Sequence, residues 1–312
     1  MNEFIELIGI IFYLSGAKEY SDCKVISYIK DINSYFMLYR NHRVIEMAKR
    51  LHQKGVSYDV VPCFALKLEK IGDEIRFKNN VEIYGNYKER FPHNEEIKFL
   101  KEINDFYKTS NFNKFFEEQK TLKNLVEERF TITRLIDFSW FESFFGYKNQ
   151  TKTMASIING PHSYGPTIIE GGKEVHIQII GSWRLDEQGF PIYPENYVHV
   201  LIHEMCHPYC NPLIDRYISD LYERANKIMS YTRIPKQYNK VQVMLYETLV
   251  RACVICYYIE HDDKINLEEL LKKEEELGFV LIRLCVEALR NKKMTLRDYM
   301  PELIYLINKK DD

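Results

Sequence analysis

The sequence of 312 residues contains little glycine and proline, with 13 and 10 residues respectively. This scarcity excludes collagen-like and low-complexity chains. No run reaches the roughly 18 apolar residues of a membrane-spanning helix, so we expect no membrane span. Neither sign of charge dominates, because 43 Lys and Arg stand against 45 Asp and Glu, for a net charge of −2. That balance argues against a protein that binds nucleic acid through the phosphate backbone.

Cysteine occurs seven times, and an odd count in a long chain does not favour a disulfide framework. The N-terminus has no basic leader, and Glu3 and Glu6 precede or interrupt its apolar run, which is atypical of a secretory signal. We therefore expect a cytoplasmic protein. Cys253 and Cys256 form a C-x-x-C within an apolar helical run, so buried core thiols are the preferred interpretation.

Hydrophobic residues make up 46% of the chain, which is ordinary for a globular protein. Helical periodicity covers most of the N-terminal half and returns after Pro194, with helices predicted over 115–129, 195–207, 236–260 and 267–289. Between these regions, Thr167–Glu170, Gly171-Gly172 and the alternating run 175–180 predict a β-hairpin. We therefore predict an α+β fold, mainly helical, with a small antiparallel sheet.

The domain organisation is predicted from the same hydrophobic patterns. A helical N-terminal lobe is predicted over 1–150 and a catalytic C-terminal lobe over 151–312. Because no stretch rich in Pro, Gly or Ser separates the two lobes, we expect them to form one compact unit.

Residues 198–207 read V-H-V-L-I-H-E-M-C-H and contain H-E-x-x-H at His203, Glu204 and His207. Residues four apart share one helix face, so both imidazoles can reach one metal ion. Zn²⁺ suits such a site because it binds imidazole and keeps an open position. Glu204 is rotated away from that face and is the candidate general base. We expect this helix to end at Pro208.

A third protein ligand is needed, and two acidic residues compete for the role. Glu247 lies in a run of apolar residues on the next long helix. A carboxylate buried there is costly unless it is paired with a cation or bound to a metal. Asp215 follows His207 by eight residues, as in metallopeptidases with an aspartate ligand. We prefer Glu247, because Asp215 precedes Arg216 and could form only a surface pair.

Weaker candidates surround this motif. Arg251 lies one turn after Glu247 and could neutralise it or point at substrate. Tyr164 precedes the hairpin and could donate a hydrogen bond to an oxyanion. His199 shares the face of the motif histidines and is interpreted as a packing residue, and the thiols of Cys206 and Cys210 flank the site.

H-E-x-x-H followed by a glutamate on a later helix resembles the gluzincin clan of zinc metallopeptidases. The chain is also similar to a bacterial family described as a domain of unknown function that carries an H-E-x-x-H motif. The matching segments are E-L-I-G-I-I-F-Y-L-S-G, H-R-V-I-E-M-A, K-G-V-S-Y-D, S-W-F-E-S-F-F-G, H-E-M-C-H-P-Y-C-N-P and E-T-L-V-R-A. The resemblance implies a zincin-like fold, with the small sheet beside the H-E-x-x-H helix.

These observations favour a zinc-dependent metallohydrolase that acts on a peptide or protein substrate. Zn²⁺ would be held by His203, His207 and Glu247, with Glu204 as general base. Two alternatives remain open: a non-catalytic binding or scaffold protein with a peptidase-like core, and a purely structural metal site. Neither a nucleic-acid partner nor a particular oligomeric state is indicated.

Overall fold

A computed structural model describes residues 1–85 and 87–309, without the side chain of Gln237. The chain divides into two compact units. The first contains Met1–Leu135 and Gln150–Glu195, and the second contains Ile136–Asn149 and the segment from Asn196 onward. This division differs from the predicted boundary at residue 150, because the hairpin segment groups with the N-terminal helices.

The first unit combines helices with short strands. Its helices are α1 (Glu3–Leu14), α2 (Ile26–Tyr35), α3 (Arg43–Gln53), α4 (Val60–Leu66), α5 (Tyr87–Arg90), α6 (His93–Thr109), α7 (Phe112–Glu118) and α8 (Lys120–Arg129). Its strands are β1 (Leu68–Ile71), β2 (Glu74–Phe77), β3 (Val81–Ile83), β4 (Gln150–Ala155), β5 (Thr167–Glu170), β6 (Lys173–Ile180), β7 (Arg184–Leu185) and β8 (Pro191–Ile192). The helix predicted over 115–129 is interrupted at Gln119, which separates α7 from α8.

The predicted hairpin is confirmed as β5 and β6, which pair in an antiparallel register with Thr167 opposite His176. Gly171 and Gly172 both adopt positive φ, at 58° and 78°. A two-residue turn of this kind matches the right-handed twist of the flanking strands. The hairpin belongs to a four-stranded sheet of order β3-β5-β6-β4, in which β4 runs parallel to β6. The sheet is therefore mixed rather than wholly antiparallel.

A buried carboxylate anchors the core of the first unit. Glu6 on α1 is fully buried, and it accepts hydrogen bonds from Tyr28 Oη, Ser156 Oγ and the backbone amides of Ile157 and Ile158 at 2.8–3.2 Å. Burial raises the pKa of Glu6, and these donors offset part of that rise. The carboxylate therefore fastens α1 to the segment that follows β4.

The second unit is helical throughout its regular elements: α9 (Phe138–Phe145), α10 (Val198–Arg216), α11 (Ile218–Tyr231), α12 (Val241–His261), α13 (Leu267–Glu276), α14 (Ile282–Asn291) and α15 (Leu296–Lys309). The helix predicted over 267–289 is two helices. Gly278 separates α13 from α14 with φ of +98°, a conformation that other residues rarely adopt. Taken with the first unit, this confirms an α+β fold that is mainly helical with small sheets.

The expectation that the H-E-x-x-H helix ends at Pro208 is wrong, because α10 continues through Pro208 and Pro212 to Arg216. Proline has no N–H, so the carbonyl of Glu204 loses its usual helical donor, at a cost of about 3 kcal/mol. Residues beyond Pro208, such as Cys210 and Ile214, are buried, with at most 2% exposed. Their burial offsets the proline penalty, and packing therefore overrides local propensity here.

Helix α12 lies in the interior of the second unit and pairs with α10. Its length of 21 residues and mean hydropathy of 1.2 would suffice to cross a membrane by length and composition alone. In the structure, 61% of this stretch is buried, and a core helix passes the same test. The absence of a membrane span therefore stays a prediction.

Candidate metal centre

Two imidazole rings face each other on one side of α10. His203 and His207 are one helical turn apart, so their side chains lie on the same helix face. Their Nε2 atoms are 3.2 Å apart. Both side chains remain partly accessible, with 21% and 23% of their surface exposed. The two ring nitrogens are thus within reach of one metal ion and of solvent.

The carboxylate of Glu247 on α12 faces both rings. Its Oε2 lies 3.5 Å from Nε2 of His203, and its Oε1 lies 3.5 Å from Nε2 of His207. Glu247 is buried, and within residues 1–85 and 87–309 no hydrogen-bond partner exists for Oε2. A buried carboxylate oxygen without such a partner is costly. Nη2 of Arg251 lies 3.3 Å from Oε2 but outside hydrogen-bond geometry, so this oxygen keeps a lone pair available for a metal ion.

The two imidazole nitrogens and the two oxygens of Glu247 lie at separations typical of ligands in a tetrahedral metal site. An ion bound at about 2.0–2.2 Å by imidazole nitrogen and carboxylate oxygen separates its ligand atoms by about 3.3–3.5 Å. The two Nε2 atoms are 3.2 Å apart, and each lies 3.5 Å from a different oxygen of Glu247. These separations are compatible with one metal ion between the three side chains.

Glu204 contributes a second carboxylate to the same place. One ligand atom from each of His203, Glu204 and His207 lies within 4.8 Å of the others, so this cluster could hold a metal ion. Glu204 is half-buried, which leaves its carboxylate open to water. A carboxylate at this distance can ligate the ion or handle a proton beside it.

The ring of His207 is oriented by Asn211, one turn further along α10. Nδ1 of His207 lies 3.2 Å from Oδ1 of Asn211. An amide oxygen only accepts, so Nδ1 carries the proton and Nε2 is left with its lone pair toward Glu247. Burial lowers the pKa of His207, and His203 lowers it further, against the opposing effects of Glu204 and Glu247. The ring is thus neutral near pH 7, which is the form that binds metals.

Arg251 supports Glu247 from the opposite side. Its Nη2 lies 3.3 Å from Oε2 of Glu247, and its Nη1 donates to Oε2 of Glu274 on α13 at 2.7 Å. The guanidinium also lies 4.5 Å from the centre of the Phe279 ring. Burial raises the pKa of Glu247, but His203, His207 and Arg251 outweigh burial and lower it overall. Glu247 is therefore held as an anion.

Asp215, the competing ligand, lies two helical turns after His207 near the end of α10. It is exposed, and its Oδ1 accepts hydrogen bonds from Nε2 of Gln242 at 2.6 Å and from Oη of Tyr246. These contacts link Asp215 to the first turns of α12. It is Glu247 that the structure brings to the two histidines.

A cavity of about 400 Å³ opens beside His203 within the second unit. Its walls come from α10, α12 and α13 and include Val200, Arg251, Val254, Ile255, Leu270 and Glu274. Closed structural zinc sites use four protein ligands, whereas catalytic sites keep one position open. Both histidines are partly accessible here, and His203 lines the cavity.

With this geometry described, the chain can be compared with known proteins. The model of the family described as "Domain of unknown function (DUF4932)" matches residues 1–306. The chain belongs to this family. Neither the curated proteins nor the solved structures contain a match to it. The predicted membership of a family of unknown function is confirmed, and any activity has to be argued from the residues themselves.

Other predicted neighbours of the motif have different surroundings. Nδ1 of His199 donates to the backbone carbonyl of Asn196 at 2.6 Å, and His199 lines the outer part of the cavity. Cys206 and Cys210 are buried, and Cys210 Sγ lies 3.7 Å from Cys253 Sγ. Burial raises the pKa of Cys206 and Cys210, which keeps them as protonated thiols.

Tyr164 lies in the first unit, where its backbone forms an antiparallel bridge with Ile179. Burial raises the pKa of its phenol, and the carboxylates of Glu19 and Asp59 raise it further. The phenol is therefore a neutral hydrogen-bond donor at ordinary pH. Its role toward an oxyanion stays a prediction from the sequence.

Sequence reasoning missed two residues of the centre, Asn211 and Glu274. Asn211 could have been found, because a polar residue four positions after a ligand histidine shares its face. Glu274 carries no such signal, because only the packing of α13 brings it to Arg251.

Replacing Asn211 with leucine is expected to weaken zinc binding about 10- to 100-fold, because the His207 ring loses the acceptor that fixes its tautomer. Asn211→Asp keeps an acceptor and should bind within a few-fold of the wild-type protein. Competition with a chromophoric zinc chelator measures both affinities. Wild-type affinity in Asn211→Leu would show that Asn211 does not orient the ligand.

Proposed function

We propose that this protein is a zinc-dependent metallohydrolase that cleaves peptide bonds, with a gluzincin-like ligand set of His203, His207 and Glu247. The observation that carries the proposal is the spacing of the donor atoms, with the two Nε2 atoms 3.2 Å apart and each 3.5 Å from one oxygen of Glu247. Two imidazoles and one carboxylate form a ligand set of catalytic rather than structural zinc sites. When bound, the zinc ion supplies an open coordination position and stabilises developing negative charge.

Glu204 is the residue that moves protons. It follows His203 directly in the helix, so its carboxylate lies beside the ligand face rather than on it. In this position it can take a proton from the attacking water and later give it to the leaving amine. The products are one new carboxyl group and one new amino group, so water is the only co-reactant.

The remaining residues hold the ligands in place. Asn211 fixes the ring of His207, and Arg251 keeps Glu247 ionised and oriented. Glu274 and the Phe279 ring in turn fix the guanidinium of Arg251. These contacts support a positioning role for Arg251 toward Glu247. The partly exposed histidines and the adjacent cavity favour catalysis over a purely structural site.

Because the substrate is unidentified, the test uses a mixed library of unmodified peptides read by mass spectrometry. Zinc-loaded protein should produce new peptide fragments, and protein stripped with a chelator should not until zinc is restored. His203→Ala, purified in parallel, serves as the control for a contaminating peptidase. Fragments that form equally with His203→Ala would refute the proposal. The proposal would also be refuted if protein with confirmed bound zinc cleaved none of the peptides in a library that contains every pair of neighbouring residues.

A further inference from the structure

The cavity beside His203 has a chemistry of its own. We infer that it receives one bulky apolar side chain of the substrate, next to the bond that is cut. The inference rests on the proposed function, because His203 is both a wall of this cavity and a proposed zinc ligand. The cavity and the proposed metal site therefore share one side chain.

Four of the ten residues that line the cavity are aliphatic and Tyr258 is aromatic, whereas the other five are histidine or charged. Val200 comes from α10, Val254 and Ile255 come from α12, and Leu270 comes from α13. Three helices thus converge their apolar side chains on one space beside the metal ligands. Burial of an apolar group there removes its surface from water and stabilises the complex. The volume of about 400 Å³ falls in the range of pockets that bind small molecules or large side chains.

Arg251, on the wall of the cavity, is shared between two carboxylates. Arg251 is paired with Glu274 at 2.7 Å and faces Glu247 at 3.3 Å. Its side chain and that of Glu274 are largely buried, with 16% and 17% exposed. Because one guanidinium faces two carboxylates, the group carries a net charge of −1, which would repel an acidic substituent. This favours a neutral apolar side chain over an acidic one.

Exposed polar residues complete the outer part of the cavity. His199 and Lys273 line it and are solvent-exposed, whereas Ile255 is buried. The cavity therefore changes from polar at its outer residues to apolar at its buried ones. A substrate side chain would place its apolar end against α12 while the peptide backbone stays near water. Leu270, which is half-buried on α13, sets the width available to it.

Hydroxamates test this without a known substrate, because the hydroxamate group binds zinc and an attached side chain probes the neighbouring space. The probes are acetohydroxamate and hydroxamates that carry an isobutyl, a benzyl or a carboxymethyl side chain. Titration calorimetry on the zinc-loaded full-length protein gives each affinity. The isobutyl and benzyl probes should bind at least about tenfold tighter than acetohydroxamate. The carboxymethyl probe should bind no tighter than acetohydroxamate.

Leu270→Trp should fill the cavity and remove the tenfold preference, while acetohydroxamate binding stays within threefold. Leu277→Trp, at an exposed leucine that follows α13, is the matched control and should keep the preference. If Leu270→Trp does not fold, Val254→Phe on α12 narrows the same cavity from another wall.

The outcomes separate the two claims. If acetohydroxamate binds but the apolar probes bind no tighter, the inference is overturned and the metal site stands. The same holds if the preference survives in both cavity-filling variants. If the wild-type protein takes up no zinc, the proposed function fails and this inference fails with it.

Discussion

Glu204→Gln is expected to lower peptide hydrolysis about 10²- to 10⁴-fold, while zinc affinity stays within a few-fold of wild type. The amide keeps the size of the side chain but cannot accept the proton of the attacking water, and loss of general base help has this magnitude. The proposed ligands are His203, His207 and Glu247, so the metal should be retained. The measurement is the initial rate of fragment formation on the best library peptide, with zinc content determined on the same samples.

Glu223→Gln is the matched control, because it is the same Glu-to-Gln substitution at an exposed position on α11. It should cleave at the wild-type rate. Two results would contradict the assignment of Glu204. A wild-type rate in Glu204→Gln would place the general base elsewhere, and loss of zinc from that variant would make Glu204 a ligand.

Glu247→Gln is expected to weaken zinc binding more than 100-fold. Mutation of a residue that hydrogen-bonds to a metal ligand typically lowers metal affinity 10- to 100-fold. Loss of an anionic ligand itself should lower the affinity by more than that. The structural reason is the short distance of 3.5 Å from each carboxylate oxygen to one histidine nitrogen. Competition with a zinc chelator of known affinity provides the measurement.

Asp215→Asn serves as the control for Glu247, because it removes an acidic charge from the other candidate ligand. Asp215 is exposed and accepts hydrogen bonds from Gln242 and Tyr246, so its substitution should leave zinc affinity within a few-fold. The reverse outcome, with tight binding in Glu247→Gln and weak binding in Asp215→Asn, would exchange the two assignments.

Local patterns predicted the elements whose signals are local. The hairpin was visible because the alternation in 175–180 and the Gly171-Gly172 turn both act within a few residues. The end of α10 could not be predicted in this way. The cost of Pro208 is local, whereas the burial of Cys210 and Ile214 depends on the rest of the second unit. The grouping of the hairpin with the first unit follows from the pairing of β3 with β5, in which Val81 lies opposite Glu170, 89 residues later in the chain. No local pattern indicates such a pairing.

The candidate site divides in the same way. The i, i+4 spacing predicted that His203 and His207 lie close together, because a helix fixes that geometry. Glu247 was identified as an acid in an apolar run, but its distance to the histidines depends on how α10 and α12 pack. For Arg251 the sequence left two roles open. Its contacts with Glu247 and Glu274 are those of the neutralising role.

The measurement that tests the central claim most directly is the zinc content of the purified protein. The wild-type chain, purified without chelators, incubated with zinc and passed over a desalting column, should carry about one zinc ion per chain by mass spectrometry of the elements. His203→Ala treated in the same way should carry none. Wild-type protein that stays metal-free, or a His203→Ala variant that retains one zinc ion per chain, would contradict the assignment of this centre.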